Sequence, residues 1–374
     1  MIKQSFITII FLLNFTLLFG QAVTELKVPD LGESSVHTAF VNPLPIAFGD
    51  PYVIKDDDGT YYMYGTGGGA KNGFAAYSSR DLSEWNFVGQ VYFGDNKNGW
   101  GTRAYWAPEV YKRNNKYYMF YSAQWKNNPT NELENFKIGV AVSDKPSGPF
   151  IDLTDKPIFE PGYPIIDANV WFENGKAYLY YSRCCYKHPV KSEISEWAKN
   201  KGWYDEIEES WVYGIEMKPD FTGVIGEPVL LLRPPLKMNE APWESRSVTS
   251  QEANRRWTEG SFIFKRKDIY YMMYSSNNFD GQNYAVGYAT SRSPLGPFVK
   301  AAENPILQKS GRVSGTGHNS ITVSPDGNEM LCVYHGRTEE TGHQRLVFID
   351  KMEISADGKI VVHGPTISIQ PKVK

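Results

Sequence analysis

Asp50-Pro-Tyr-Val, a turn at Asp58-Gly59, and Tyr61-Tyr-Met-Tyr make up the stretch from which the fold is read, because the same order of features returns four more times. It recurs as Ala107-Pro-Glu-Val, Asn114-Asn115 and Tyr117-Tyr-Met-Phe-Tyr-Ser, then as Asp167-Ala-Asn-Val, Asn174-Gly175 and Tyr178-Leu-Tyr-Tyr-Ser. The last two units are Glu259-Gly-Ser-Phe, Lys267-Asp268 and Tyr270-Tyr-Met-Met-Tyr-Ser, and His318-Asn-Ser-Ile, Asp326-Gly327 and Leu331-Cys-Val-Tyr-His. Asp-Gly and Asn-Gly between apolar runs are strong hairpin signals, since both central residues of such a turn take positive φ. The openings are spaced by 57, 60, 92 and 59 residues. Further strand-like runs lie between them, such as Ile138-Gly-Val-Ala-Val-Ser and Tyr284-Ala-Val-Gly-Tyr-Ala. Two hairpins per unit make four strands, and five such units predict an all-β, five-bladed β-propeller. A β-sandwich with a second domain does not explain the period.

In a propeller the first strand of each blade lines the central channel, so equivalent positions converge however far apart they lie in sequence. The opening residues are Asp50, Ala107, Asp167, Glu259 and His318. Taken singly, an Asp before Pro is ordinarily a turn residue and a Glu before Gly a solvated loop residue. Three acids in register across separate repeats are not required by turn chemistry. Carboxylates around one pocket are what glycosidic bond cleavage needs, one held protonated and another ionised. Glu259, in Trp257-Thr-Glu-Gly-Ser-Phe, has aromatic neighbours that favour its protonated form; Asp50, before the rigid Pro51, suits a base that must aim at a water.

The remaining composition excludes other classes. A net charge of −3, from 39 basic and 42 acidic residues, gives no electrostatic case for nucleic acid or anionic lipid. Only three cysteines occur, two of them adjacent (Cys184 and Cys185, expected as free thiols), so neither a disulfide framework nor a zinc site is indicated. Residues 1–20 carry Lys3 and an apolar run from Phe6 to Phe19, which reads as a signal peptide too short to span a membrane; residues 21–374 then form the propeller, exported and monomeric. No later segment is apolar enough for a membrane span. Gly65-Thr-Gly-Gly-Gly lacks the Lys-Ser/Thr ending and following helix of a phosphate loop and reads as a rim loop. The long gap, residues 183–256, reads as a rim insertion with a helix candidate at Ser192–Lys199. Its tryptophans 197, 203, 211 and 243 either reach the channel mouth or pack beneath a loop. The aromatic fraction of 14% fits both strands and sugar-stacking surfaces.

At these residues the chain resembles glycoside hydrolase family 43. The carriers are Gly49-Asp50-Pro51, Tyr105-Trp-Ala-Pro-Glu109, Ile166-Asp-Ala-Asn-Val170, Trp257-Thr-Glu-Gly260 and Gly315-Thr-Gly-His-Asn-Ser320, spread from about Asn42 to Asp350. The resemblance implies a five-bladed propeller that cleaves with inversion, with Asp50 as general base, Glu259 as general acid and Asp167 tuning and orienting the acid. It implies Trp106 as a sugar platform, against a packing role; Arg345 in a sugar subsite, against a surface ion pair; and His318 in substrate binding or at a calcium ion in the channel, against a structural histidine. No cofactor is otherwise required. Inversion predicts the two carboxyl groups roughly 6.5–9.5 Å apart.

The expected substrate is a plant-type polysaccharide or oligosaccharide carrying α-L-arabinofuranosyl or β-D-xylosyl linkages, galactan being rarer. The chain runs only 56 residues past His318, without the C-terminal sandwich of many xylosidases of that family, which favours an arabinofuranosidase. A non-catalytic sugar-binding propeller would not need the acid trio. A glycoside phosphorylase would need a basic cluster at the channel mouth, and only scattered candidates occur.

Overall fold

The computed structural model describes residues 40–184, 191–371 and 373; the signal-peptide reading and Cys185 fall outside these residues. Each repeat builds one four-stranded antiparallel blade. Blade one comprises Phe48–Lys55, Tyr61–Gly67, Gly73–Ser79 and Asn86–Phe93; blade two Trp106–Arg113, Lys116–Gln124, Phe136–Ser143 and Ile151–Asp152. Blade three comprises Ile165–Glu173, Lys176–Arg183, Glu208–Met217 and Val224–Leu232, and blade four Arg255–Arg266, Ile269–Asn277, Ala285–Ser291 and Val299–Lys300. Blade five comprises Val313–Val323, Met330–Thr338, Leu346–Ile354 and Ile360–Val362. The inner strands contact one another in order, and the fifth contacts the first, so the five blades close into a propeller.

Both faces of a blade are covered by neighbours, and this shapes the sequence. Five buried clusters fill the five joints, for example Tyr64 and Val110 between blades one and two, and Met273 and Phe348 between four and five. Strands buried on both faces read as continuous apolar-aromatic runs, which is why Tyr61, Met63 and Tyr64 are all fully buried. The tyrosine-rich runs are therefore joint packing. At the hairpins, Asn114-Asn115 and Asn174-Gly175 take positive φ at both residues, whereas at Asp58-Gly59 and Asp326-Gly327 only the glycine does.

The reading of residues 183–256 as a rim insertion is corrected. That span supplies the third and fourth strands of blade three, and the long gap arises because a helix, Glu193–Asn200 capped by Ser192, separates them from their partners. Its tryptophans pack internally. Trp197 meets Trp203 edge-on at 5.0 Å, Trp243 meets Tyr274 at 5.8 Å, and the Trp211 ring is met by the guanidinium groups of Arg233 at 4.5 Å and Arg183 at 5.7 Å. The span also buttresses blade four. Buried Arg256 is held by Glu209 at 2.7 Å, by the Pro235 carbonyl and by Ser245, while Glu208–Ser210 pairs in parallel with Arg255–Trp257.

Candidate active site

Each inner strand carries a β-bulge at the equivalent position, where a residue with left-handed backbone interrupts the ladder to the second strand, and blade five has a further one between Ser314 and Gly317. The residues at the five equivalent positions are Asp50 (φ 53°), Ala107 (47°), Asp167 (60°), Gly260 (57°) and His318 (48°). Four are not glycine, and such conformations cost of order 1–3 kcal/mol each, which the closed ring must hold. The expected register is thereby corrected in blade four, where the equivalent of Asp50 is Gly260 and not Glu259. Three positions on, Val53, Val110, Val170, Ile263 and Ile321 then align. Glu259 instead belongs with Gly49, Trp106, Ile166 and Gly317, the residues just before the bulges.

These two stacked rings of five build the site. Trp106, Ile166 and Glu259 from one, with Asp50, Asp167 and His318 from the other, line a cavity of about 130 Å³ together with Trp257, Phe279, Tyr284 and Arg345. The two glycines of the first ring make room for the last two. A Cβ at Gly49 would stand 2.0 Å from Arg345 Cζ, and one at Gly317 would stand 2.1 Å from the Tyr284 ring. Arg345 thus reaches Asp50 Oδ1 at 2.8 Å, and the Tyr284 hydroxyl donates to Glu259 Oε1 at 3.0 Å.

The three carboxyl groups sit in different electrostatic settings. Burial alone would raise Asp50, but the Arg345 guanidinium first, then the His318 imidazole and the Thr66 hydroxyl, which donates to Oδ2 at 2.6 Å, hold it well below the usual carboxylate range. Glu259 goes the other way. Burial first, and then the nearby charge of Asp167, push it well above its ordinary value despite the bond from Tyr284. Asp167 is raised by burial, and its Oδ2 accepts from Ser182 Oγ at 2.9 Å and from the Gly260 N–H at 3.2 Å. One pocket therefore favours the ionised form of one carboxyl group and the protonated form of another, the division of labour that acid–base catalysis uses.

All six residues anticipated from sequence meet at this cavity. Trp106 packs on Phe136 with ring centres 4.4 Å apart and shows its remaining surface to the cavity. His318 places Nδ1 3.2 Å from Asp50 Oδ1. Calcium takes six to eight oxygen ligands, and among the described residues no group of three or more His, Cys, Asp and Glu side chains is disposed to hold a metal ion. Sequence reasoning missed Phe279, which stacks on Trp257 at 6.1 Å and under Arg345, and also Tyr284, Thr66, Ser182 and His335. The Tyr-Ser and Tyr-His endings of the second strands were the available signal for the last two. Glu109, in the quoted Trp-Ala-Pro-Glu motif, lies outside the cavity lining, where it binds Tyr111 and Asn169.

Residues 40–360 match the glycosyl hydrolases family 43. The chain belongs to that family. It is 27% identical over 321 residues to a β-D-galactofuranosidase of Aspergillus niger, a match covering 79% of this chain and 78% of that protein. To a xylosidase/arabinosidase of Bacteroides ovatus it is 29% identical over 273 residues, covering 70% and 74%. The crystal structure of a thermostable family-43 glycoside hydrolase superposes with a TM-score of 0.76 at 36% identity, over 90% of this chain and 99% of that one. The family 43 site is thus set in a complete propeller ring, and the chain is a glycoside hydrolase.

Proposed function

We propose that this family 43 enzyme hydrolyses α-L-arabinofuranosyl or β-D-xylosyl linkages of plant polysaccharides by single displacement, with inversion. The observation that carries the reading is the opposite electrostatic setting of Asp50 and Glu259 across one small cavity. Asp50 takes a proton from water as its oxygen attacks the anomeric carbon. Glu259 gives its proton to the departing glycosidic oxygen as the C–O bond breaks. Asp167 keeps Glu259 protonated and in place. Arg345 and His318 hold Asp50 and border the sugar, and Trp106 offers it an aromatic face. A cavity of this size takes one sugar unit, which suits removal of terminal or branching residues.

The pentose reading is supported by the naming of the Bacteroides ovatus relative as a xylosidase/arabinosidase. The Aspergillus niger relative, named for galactofuranose, supports a second reading in which the five-membered ring and not the pentose is selected. We also propose export, on the strength of Lys3 and the apolar run that follows.

A panel of 4-nitrophenyl α-L-arabinofuranoside, β-D-xyloside and β-D-galactofuranoside, beside arabinan and xylan, separates these readings. Turnover of the galactofuranoside alone would remove the pentose assignment. Proton NMR of the first-formed sugar should show inverted configuration, and retention would rule out water activation by Asp50. Asp50→Asn should lower kcat by about 10²–10⁴ with the fold intact; near-normal turnover would remove the base assignment.

A further inference from the structure

Each of the five equivalent bulges leaves one backbone N–H that its own ladder does not use, and a side chain from the second strand of the preceding blade accepts it. Ala107 donates to Thr66 Oγ1 at 2.8 Å, Asp167 to Ser122 Oγ at 3.0 Å, Gly260 to Ser182 Oγ at 3.2 Å and His318 to Ser275 Oγ at 2.7 Å. The ring closes where Asp50 donates to His335 Nδ1 at 3.1 Å. Four acceptors are hydroxyls and the fifth is an imidazole. A hydroxyl accepts and donates at once, as Thr66 does to Asp50 Oδ2 and Ser182 to Asp167 Oδ2. An imidazole that accepts at Nδ1 carries its proton on Nε2, so it has nothing to donate to the carboxylate beside it.

We propose that His335 is a positioning residue for Asp50: neutral, with its proton on Nε2, it clamps the Asp50 backbone at the bulge and so aims the carboxylate without donating to it. This rests on the reading of Asp50 as the base. A serine at this position would add a donor to a carboxylate that already receives Arg345 and Thr66, and each added donor makes a carboxylate a weaker base. His335 is fully buried, and its Nε2 meets no hydrogen-bond partner among the described residues. The charged and titratable groups facing it are Asp50, His318, Arg345 and Arg337. Burial first, then the Arg345 guanidinium, press the imidazole well below the ordinary histidine range, overriding the attraction of Asp50. The Tyr284 ring lies parallel to the imidazole, 12° apart in plane and 5.7 Å between centres. One stack therefore anchors both catalytic groups, the base through its backbone and the acid through the Tyr284 hydroxyl.

The test compares H335L, which keeps bulk without an acceptor, with H335N, whose amide oxygen takes the place of Nδ1. Activity is measured on 4-nitrophenyl α-L-arabinofuranoside or β-D-xyloside, whichever the wild type cleaves. H335L should lower kcat about tenfold to a hundredfold with KM changed by less than about threefold, and H335N should return to within about fivefold of wild type. In the wild type, ¹⁵N NMR of labelled histidine should show Nδ1 of His335 unprotonated and Nε2 protonated from about pH 5 to 8. Wild-type kcat in H335L, H335N no better than a folded H335L, or a protonated Nδ1 overturns the proposal. The NMR arm needs no variant, so a misfolded H335L leaves the proposal decidable. D50N reads the base assignment separately: activity in D50N removes that assignment, whereas an inactive D50N beside a fully active H335L removes only the role of His335.

Discussion

Asp50 and Glu259 are both buried carboxyl groups lining one cavity, yet their neighbours push them in opposite directions. The proposed mechanism needs Asp50 ionised and Glu259 protonated. Because Asp50 is held low by Arg345, the rate should fall on the acidic side only well below neutrality. Because Glu259 is raised by burial and by Asp167, the rate should fall on the alkaline side as pH rises through a value above the usual carboxylic range. Removing Arg345 takes away the largest force holding Asp50 low, so in Arg345→Met the acidic limb of kcat/KM should move to higher pH. An unmoved acidic limb would separate Arg345 from the base. Arg345, His318 and Trp106 were legible because each sits in a distinctive stretch of sequence. Tyr284 was not, since its place depends on a missing side chain at Gly317, thirty-three positions later in the chain. A vacancy of that kind becomes visible only when the strands are laid side by side.

At the scale of the strand, the bulge determines where a side chain points, and the blade-four register shows why a one-residue difference matters. Glu259-Gly imitates Asp50-Pro as a polar residue before a backbone-special one, and that likeness misaligned the unit by one position. The apolar position three residues on, Ile263 against Val53, Val110 and Val170, is the better guide because it is fixed by the joint core. The third and fourth strands of blade three were illegible for another reason: the helix Glu193–Asn200 parts them from the hairpin they complete. Ala107 shows that the bulge conformation itself admits a methyl group. Gly260 differs in its surroundings, since a Cβ there would lie 3.0 Å from Cγ and Nδ1 of His318. Gly260→Ala should therefore cost about 1–2 kcal/mol and lower kcat by displacing His318 from Asp50. Ala107→Gly, which relieves strain and loses one methyl, should stay within about 1 kcal/mol of wild type. Thermal unfolding and kinetics of the two variants check this, and stability changes equal in size and opposite in sign, with kcat unchanged in both, would show that backbone strain and not the His318 contact decides.

A propeller is a ring cut once by its chain ends, and in this molecule the cut passes through the active site. Asp50 stands on the first strand of blade one, while His318, His335 and Arg345, which hold it, all come from blade five. The seam is sewn by residues just ahead of blade one. Leu44 and Ile46 exchange backbone hydrogen bonds with Val347, and Phe40–Val41 pairs with Ile369–Gln370. Asn42 is the central stitch. Its side chain accepts from the Ile349 N–H at 3.0 Å and donates to the Ile349 carbonyl at 2.9 Å and to Asp350 at 3.2 Å, all in a buried setting. Asn42→Ala strands a buried backbone donor and acceptor together, at a cost of about 2–4 kcal/mol. The midpoint of thermal unfolding should fall by about 3–6 °C, from the scaling of such losses in domains of this size. Because the proposed base, Asp50, is gripped across this seam, activity should be lost below the temperature at which blade packing melts, as followed by near-ultraviolet circular dichroism. In the wild type the two transitions should lie closer together. An Asn42→Ala protein whose activity and packing disappear at one temperature would show that the seam does not open ahead of the ring, and an unchanged midpoint would show that Asn42 does not hold it shut.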